Sequence, residues 1–468
     1  MTMDLLAWLG GTLLALGMLA LGLWAGIAER RHGADSEGFW TAHRSLSGWS
    51  LGMSLSASML SVSWSLVYGV ELLYRYGWGG LWLLAIPWLV TLGLFYLLVP
   101  RLRAFGAFSQ GELFGQVHGR KLQLLTALVL SVVFLAWCGA EIAAAGELLA
   151  PMLQAPAPLV MAGLALLVAA YSWAGGFRAV VLTDVAQFLL IAVFLVFLAV
   201  RSWQPQGLSP LAPIPAPSLW LVLVTLLVYV TGWLSEADIW LRFTAAKSDT
   251  HARLAMAFTA GVSLVLVIGV PALLAAAART LLPQSQDLVF PRLLAHLLPP
   301  QLHILVLGGF AAVALSTIST TANVVAVTWA RDWPREKAHS SNLSWARWAS
   351  ALAVFAALVV AWLSRSLSEL FYLSAGLLSA GLFWPTLGLF YPSLREAARV
   401  AAWVGFFAVL ASFLLERSGL FRFAADPGLN ELAIGYIPPA LAVGVLALAG
   451  SWLWMKVKKP QEAPQPRQ

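Results

Sequence analysis

The chain has 468 residues, of which 60% are hydrophobic and 10% are charged, and its mean hydropathy is +0.82. A soluble domain carries about 25% charged residues, so this composition excludes a soluble core of comparable size. The formal charge of +7 is spread over loops rather than gathered on one face, which argues against nucleic-acid binding. The single cysteine, Cys138, excludes a disulfide framework and a cysteine-based metal site.

Apolar windows of about 20 residues recur along the whole chain, and each is long enough to cross a bilayer as a helix. The first, Leu5 to Ile27, lacks a basic leader and is too long for a signal peptide, so we interpret it as a helix of the mature protein. The windows predict an all-α integral membrane protein with thirteen transmembrane helices, near residues 4–27, 48–70, 80–100, 123–150, 158–173, 180–201, 218–240, 253–277, 303–328, 344–364, 367–390, 397–416 and 434–455.

Because the loops are short, the positive-inside rule predicts the orientation. The loops after odd-numbered helices, together with the tail 456–468, contain three quarters of the 28 Lys and Arg residues. This bias predicts a plasma-membrane protein with its N-terminus outside and its C-terminus in the cytoplasm. The tail is basic, rich in Pro and Gln and too short to fold, and the five prolines within 204–217 predict a semi-rigid external loop.

Two of the predicted helices carry many more hydroxyl groups than the other helices, which are mostly Leu, Ala and Val. Small hydroxyl residues let helices approach closely and hydrogen-bond, which is the structural explanation. Hydroxyls and the carbonyls freed at a helix break also coordinate small cations at the bilayer midplane, which is the functional explanation. Both explanations can hold for different members of the two clusters, which are Ser54, Ser56, Ser58, Ser61, Ser63 and Ser65 in helix 2, and Ser316, Thr317, Ser319, Thr320, Thr321 and Asn323 in helix 9.

Acidic side chains at membrane depth cost about 2.5–3.5 kcal/mol at a helix centre, and they therefore indicate function unless the protein neutralises them. Asp184 stands near the start of helix 6, where the helix dipole alone could explain an anion. Asp238 precedes Arg242 by four residues, which favours a structural ion pair. Glu147 lies near a helix end and can reach the interface. The remaining candidates are Glu141 in helix 4 and Glu236 in helix 7.

Four segments between Phe39 and Trp333 carry a resemblance to a known family: "FWTAHRSLSGWSLGMSLSASMLS", "YSWAGGFRAVVLTDVAQ", "WLSEADIWLRFTAAKS" and "AVALSTISTTANVVAVTWARDW". They resemble, in the right order and on the right helices, motifs of the sodium:solute symporter family, which includes proline, pantothenate, sialic acid and glucose carriers. The second is similar to the family's GG-x-x-A-V-x-x-T-D-x-x-Q loop, and the fourth to its M-S-T-x-S helix with a closing Asp.

The resemblance implies a LeuT-like bundle of two inverted five-helix repeats, in which helices 2 and 7 are broken at the midplane. It also implies a secondary active transporter that couples sodium to the symport of a small organic solute by alternating access. The expected organisation is a peripheral helix with the first cytoplasmic loop at 1–47, a transport core at 48–390 with repeats 48–201 and 218–390, two peripheral helices at 391–455, and the tail at 456–468.

Sodium, as Na+, is the only cofactor that the resemblance implies. The family's sodium site corresponds here to the carbonyls of Ala57, Leu60 and Val313 and to the hydroxyls of Ser316 and Thr317. Helices 2 and 9, which supply these groups, are the two hydroxyl-rich helices. Some relatives hold a second sodium, and the matching positions here are Asp184, Ser319 and Thr320, so a second sodium site is a further expectation.

Two departures from the family pattern narrow the solute. Met59 stands where proline carriers have an Asp, and the helix 4 Arg of sialic acid carriers is absent, which argues against both solutes. Glu236 follows Gly232 at the expected break of helix 7, where relatives often have a neutral Asn or Gln. A carboxylate only accepts hydrogen bonds, so we expect a solute with a cationic or strongly donating group. The residues expected to contact the solute are Ser61, Trp64, Trp137, Glu141 and Glu236.

Two other functions stay open at this point. The first is a membrane-embedded solute sensor without transport, against which the lack of a kinase, PAS or receiver segment after Lys459 argues. The second is a proton-coupled symporter of the same fold, in which Asp184 or Glu141 titrates. An enzyme is not predicted, because no nucleophile with its base, metal cluster or phosphate loop is recognisable. The expected partners are a small solute and the lipid bilayer, with neither nucleic acid nor an obligatory protein partner.

Overall fold

The computed structural model describes residues 3–31, 35–203, 210–211, 216–283, 289–298, 303–334, 342–363 and 373–458, without the side chains of residues 3–7, 29–30, 62–64, 303–304, 431 and 458. Within these ranges the regular structure is helical except for one isolated backbone bridge. The helices are α1 (Met3–Arg31), α2 (Ser36–Thr41), α3 (Gly48–Met59), α4 (Gly69–Tyr76), α5 (Ala85–Arg103), α6 (Gln110–His118), α7 (Arg120–Leu153), α8 (Ala157–Ser202), α9 (Leu219–Trp233), α10 (Ala237–Ala245), α11 (Asp249–Ser263), α12 (Val270–Leu281), α13 (Val289–Leu297), α14 (His303–Val327), α15 (Leu343–Leu363), α16 (Phe383–Phe390), α17 (Arg395–Arg417), α18 (Pro427–Glu431) and α19 (Ile437–Lys458).

Serine residues in the loops fix where several of the helices begin. The side chains of Ser47, Ser109, Ser218 and Ser248 accept hydrogen bonds from backbone N–H groups of the first turns of α3, α6, α9 and α11. An N-cap satisfies a donor that the helix itself leaves unpaired and contributes about 1 kcal/mol. The polar loops between apolar windows therefore set the helix starts close to where the sequence predicts them.

Within the described residues, ten segments are long and apolar enough to span a membrane, or eleven if the bent pair α9 and α10 is one span. The predicted count of thirteen is therefore not confirmed, although the all-helical membrane architecture is. One reason is that Ala157–Ser202 contains both predicted helices 158–173 and 180–201. Another is that Ser65–Arg103 joins the end of predicted helix 2 to helix 3.

The 46-residue segment α8 folds back on itself at Gly176. A straight helix of that length would measure about 69 Å, more than twice the thickness of the hydrocarbon layer. Gly176 has a φ of 57° and a ψ of −146°, and a Cβ there would overlap the carbonyl oxygen of Phe39. Tyr171 before the bend bonds to Leu315, and Asp184 after it bonds to Ser316. Since thirteen residues of straight helix span about 20 Å, the two halves must lie side by side.

Two helices are interrupted where the resemblance predicts breaks. α3 ends at Met59, and Leu60 has a non-helical φ and ψ of −84° and 68° before a π-helical stretch begins at Val62. α9 and α10 are separated by Leu234, Ser235 and Glu236, and their axes differ by 46°. The predicted breaks in helices 2 and 7 are confirmed.

The centre of the bundle is α14, whose hydrophobic window is 89% buried, and it packs against α7, α8, α15 and α3. The windows of α1, α17 and α19 are only 22%, 28% and 17% buried, which is expected of helices that face lipid. A pair of backbone hydrogen bonds links the two broken helices at one end: Leu46 N–H donates to Ala245 and Lys247 N–H donates to Leu46. Leu46 precedes α3, and Ala245 ends α10.

Candidate functional site

A cavity of about 110 Å³ lies between the two helix breaks and the middle of α14. Its walls come from the α3 break, α5, α7, α9, α10 and α14, so residues from both halves of the chain meet there. Most of the lining is apolar, and the polar groups are concentrated near the start of α10 and on α14. A small concave site with a few convergent polar groups is the usual form of a solute-binding site.

Aromatic rings form much of the cavity wall. Tyr229 and Trp233, one turn apart on α9, stack with their centroids 4.9 Å apart, and Trp88 of α5 meets Trp233 edge-on at 5.6 Å. On the side of α7, Phe134 and Trp137 lie 5.1 Å apart. Ring faces attract cations through their quadrupole, most strongly for Trp. This wall therefore suits an ammonium or guanidinium group at least as well as an alkyl group.

Two carboxyl groups face the cavity beside this wall. Glu236 is the residue before α10 and Asp238 lies in its first turn, and they are 4% and 1% exposed. Glu236 Oε2 and Asp238 Oδ1 are buried and have no hydrogen-bond partner, while the two groups lie within hydrogen-bonding reach of each other. Two ionised carboxylates cannot donate to one another, and Asp238 is ion-paired with Arg242 through its other oxygen, so of the two it is the Glu236 carboxylate that has no ion pair among the described residues.

A second acidic group, Asp184 of α8, is fully paired by protein atoms. Its Oδ1 accepts from Ser316 at 2.7 Å, and its Oδ2 accepts from Ser54 at 2.6 Å and from Arg242 at 3.3 Å. Asp184 is 0% exposed. Its interior position rules out the alternative that it merely lies at the headgroup level near a helix start.

Arg242 of α10, which is 1% exposed, is the cation of this network. Its Nη1 lies 3.1 Å from Asp238, which confirms the ion pair predicted from their spacing. Its Nη2 donates to Asp184 and, at 2.9 Å, to Thr320, and its Nε donates to Ser54 at 3.2 Å. All three nitrogen atoms are therefore engaged. We call the set Ser54, Asp184, Arg242, Ser316 and Thr320 the Arg242 network.

The residues predicted to bind the first sodium meet where α14 crosses the α3 break. Thr317 Oγ1 lies 3.3 Å from the carbonyl oxygen of Ser58 and 3.2 Å from that of Val313. Ser316 gives its proton to Asp184, which leaves its oxygen lone pairs available. Leu60 departs from helical geometry, and its carbonyl and that of Ala57 are at the break. Hard oxygen ligands of this kind fit a sodium ion.

The residues predicted to bind a second sodium do not fit one. Asp184 and Thr320 both accept hydrogen bonds from Arg242, so a guanidinium lies between them. Ser319 turns its hydroxyl to the carbonyl of Ser316 at 3.0 Å. Asp184 Oδ2 and Thr320 Oγ1 are thus bridged by the guanidinium, whereas the Ser319 oxygen keeps its lone pairs.

The packing explanation of the hydroxyl clusters holds for several of their members. Ser56, Ser58 and Ser65 bond to carbonyls of their own helix segment, as Thr321 does in α14, which is a packing role. Ser54 instead reaches Asp184 across the bundle. The side chain of Ser63 lies outside the described residues.

Of the residues predicted to contact the solute, Ser61, Trp137, Glu141 and Glu236 line the one cavity. The side chain of Trp64 lies outside the described part of the chain. The prediction missed Trp88, Tyr229, Trp233 and the cavity-facing role of Asp238. A signal for three of them was present, because Trp233 directly precedes the break, Tyr229 lies one turn earlier and Asp238 follows the break by two residues.

Solved structures of two transporters share this architecture. The chain is similar to a Na+-coupled sialic acid symporter in a substrate-bound outward-open state, with a TM-score of 0.74 and 17% identity over 96% of this chain and 97% of that one. It is also similar to Mhp1, a transporter of the nucleobase-cation-symport-1 family in a closed conformation with bromovinylhydantoin bound, with a TM-score of 0.53 and 14% identity over 91% and 96%. No curated protein matches the chain. The likenesses define the class: a multi-pass membrane protein with the LeuT-like transporter fold.

The sequence places the chain within that class. Residues 39–210, about a third of the chain, match the model of the sodium:solute symporter family. This match agrees with the resemblance noted from the four motifs and with the expectation of a symporter that uses sodium.

Proposed function

We propose that the chain couples the inward movement of sodium to the uptake of a small organic solute that carries a cationic group, by alternating access around the central cavity. The observation that carries the solute class is the pair of buried, unpartnered oxygens on Glu236 and Asp238 beside an aromatic wall. Burying an unpaired carboxylate is expensive, so a ligand that neutralises it gains a large advantage over a neutral one.

For sodium, we propose the carbonyls of Ala57, Leu60 and Val313 with the hydroxyls of Ser316 and Thr317. The break at Leu60 and the contact of Thr317 with the Ser58 carbonyl support this choice. Sodium bound there would join the α3 break to α14, which are both walls of the cavity. The solute and the ion would then stabilise the same arrangement of helices, which is the physical basis of coupling.

For the solute, we propose that its cationic group lies between Glu236 and the ring of Trp233, with Ser61, Trp137 and Glu141 contacting the remainder. Met59 lines the cavity in place of an acid on α3, so the negative charge is displaced toward α10. A simple carboxylate would meet the like charge of Glu236 in a desolvated site and should be rejected.

The test is a thermal-stability screen of the purified protein with three isosteric solutes, each in sodium and in potassium chloride. Choline, the uncharged 3,3-dimethyl-1-butanol and the anionic 3,3-dimethylbutanoate have nearly the same shape and differ in charge. We expect stabilisation in the order cation, neutral, anion, and a larger effect of the cation in sodium. Stabilisation by the anion alone would overturn the solute class, and equal effects in sodium and potassium would overturn sodium coupling.

Proton coupling is a second candidate because the carboxyl groups of Glu236 and Asp238 lie within hydrogen-bonding reach of each other. A proton shared by this pair could serve as the coupling ion. Uptake into proteoliposomes driven by a pH gradient in sodium-free buffer would favour this candidate. Solute binding with no uptake under either gradient would favour the sensor.

The orientation and the four-part organisation remain proposals. Cys138 is the only cysteine and is buried, so single cysteines introduced into loops can be labelled selectively. A membrane-impermeant thiol reagent should label a cysteine placed in the 204–217 loop from outside, and one placed in the 456–468 tail only after the membrane is opened. The reverse pattern would contradict the proposed orientation.

A further inference from the structure

The second position at which the sequence predicts sodium is bridged by a side chain of the protein itself. Arg242 Nη2 lies 3.3 Å from Asp184 Oδ2 and 2.9 Å from Thr320 Oγ1, and these are two of the three predicted ligands. The third, Ser319, bonds to its own helix. Arg242 is 1% exposed and Asp184 is 0% exposed, so water does not screen the contact.

The hydrogen bonds of Asp184 show how the Arg242 guanidinium affects sodium binding there. Asp184 Oδ2 accepts from one hydroxyl and one guanidinium, and its Oδ1 accepts from a second hydroxyl. A sodium ion bridging Asp184 and Thr320 would have to lie where Nη2 lies, beside a like charge in a site without water. Such a juxtaposition is strongly unfavourable at low dielectric, so ion and guanidinium exclude each other.

We propose that Arg242 is a tethered cation that replaces the second sodium, so that this carrier binds one sodium ion in each cycle. The residue is fixed in the bundle through α10 and cannot be released to the cytoplasm. The negative charge of Asp184 is therefore satisfied permanently, and the charge left over is on Glu236 and on the cavity-facing oxygen of Asp238. This inference rests on the proposed sodium coupling.

The experiment counts bound sodium without using transport. The midpoint of thermal unfolding is measured against sodium concentration at constant ionic strength with potassium chloride and without solute. At saturating sodium its slope against the logarithm of concentration scales with the number of ions that the folded state binds. We expect one ion for the unmodified protein, and a slope about twice as steep for Arg242→Gln, because sodium then neutralises Asp184.

Three further variants make the result decisive. Asp184→Asn should leave the one-ion slope unchanged, and the double variant Arg242→Gln with Asp184→Asn should return it to one ion. Arg75→Gln removes an arginine whose ion pair with Glu71 lies on α4, outside the network, at 2.6 Å, and is the matched control with an unchanged slope. Should Arg242→Gln not fold, the unmodified protein and Asp184→Asn still decide the matter.

A two-ion slope in the unmodified protein that falls to one in Asp184→Asn would overturn the inference. Failure of the proposed function looks different, because the unmodified protein would then show no sodium effect at all. A sodium effect that appears only in Arg242→Gln would in that case still support the tethered-cation role.

Discussion

The bundle contains two neighbouring acidic regions, and their carboxylates differ in how they are hydrogen-bonded. Asp184 is saturated by Ser54, Ser316 and Arg242, and no oxygen of it remains without a donor. Glu236 and Asp238 each keep a buried oxygen without a partner, and both face the central cavity. The first region therefore holds helices together, whereas the second keeps acceptor oxygens for a cation from outside the chain.

We expect the largest effect when the two hydroxyl groups that are predicted to bind sodium are both removed. Ser316→Ala with Thr317→Ala deletes two ligands worth about 1.5 kcal/mol each, so sodium affinity should fall by about 150-fold and sodium-dependent uptake should be lost. Sodium half-saturation of uptake is the measurement. The matched control is Thr328→Ala, whose buried hydroxyl bonds to the Val324 carbonyl one turn earlier and which does not line the cavity. A double variant that folds, transports and keeps its sodium dependence would show the site assignment to be wrong.

The region of Glu236 and Asp238 is tested by Glu236→Gln, which keeps the shape of the side chain and removes its charge. We expect the affinity for ammonium-bearing solutes to fall about 30-fold, equivalent to about 2 kcal/mol, and the preference over the uncharged isostere to vanish. Competition binding measures both. Glu147→Gln removes a carboxylate that is exposed on α7 and should change neither quantity. Inhibition by carboxylates alone, unchanged in Glu236→Gln, would falsify the assigned role.

The region around Asp184 is tested by comparing substitutions of two nearby serines of α3. Ser54→Ala removes a donor to Asp184 and an acceptor of Arg242, which should destabilise the protein by about 1.5 kcal/mol. Ser56→Ala removes a hydroxyl that bonds mainly to its own helix and should cost less than about 0.5 kcal/mol. The loss in thermal unfolding midpoint is the readout. Equal losses in the two variants would mean that the Arg242 network adds nothing to stability.

The smallest effect is expected for Trp233→Leu. The substitution keeps an apolar side chain but removes a ring face, and cation–π contacts contribute about 1 kcal/mol when partly desolvated. Affinity for the ammonium solute should therefore fall about fivefold, while affinity for its uncharged isostere changes little. Parallel losses for both solutes would assign Trp233 a packing role only.

The sequence predicts the fold well because its signals are local. Hydrophobic windows and loop serines mark the helices, and Gly232 with the polar residues after it marks the α9–α10 break. The fold-back at Gly176 was predicted as two separate helices, which describes the same course of the chain. The predicted and observed numbers of spans differ because a broken or bent helix can be counted as one span or as two.

The site could be predicted only where spacing along one helix reveals a contact. The pair Asp238–Arg242 is visible at four residues' separation, and it is present. The contact of Arg242 with Asp184 crosses 58 positions of sequence, and nothing local distinguishes Asp184 as neutralised rather than available to sodium. A carboxylate looks the same in either role until its neighbours from other helices are known.

The backbone bridge between Leu46 and Ala245–Lys247 limits how the cavity can open. It joins the residues just before α3 to those just after α10, and these two broken helices carry the proposed ligands for sodium and for the cationic group. A gate that swung one of them alone would have to break both of these backbone hydrogen bonds. The two half-helices should instead move together, and the opposite ends of the breaks would then act as hinges.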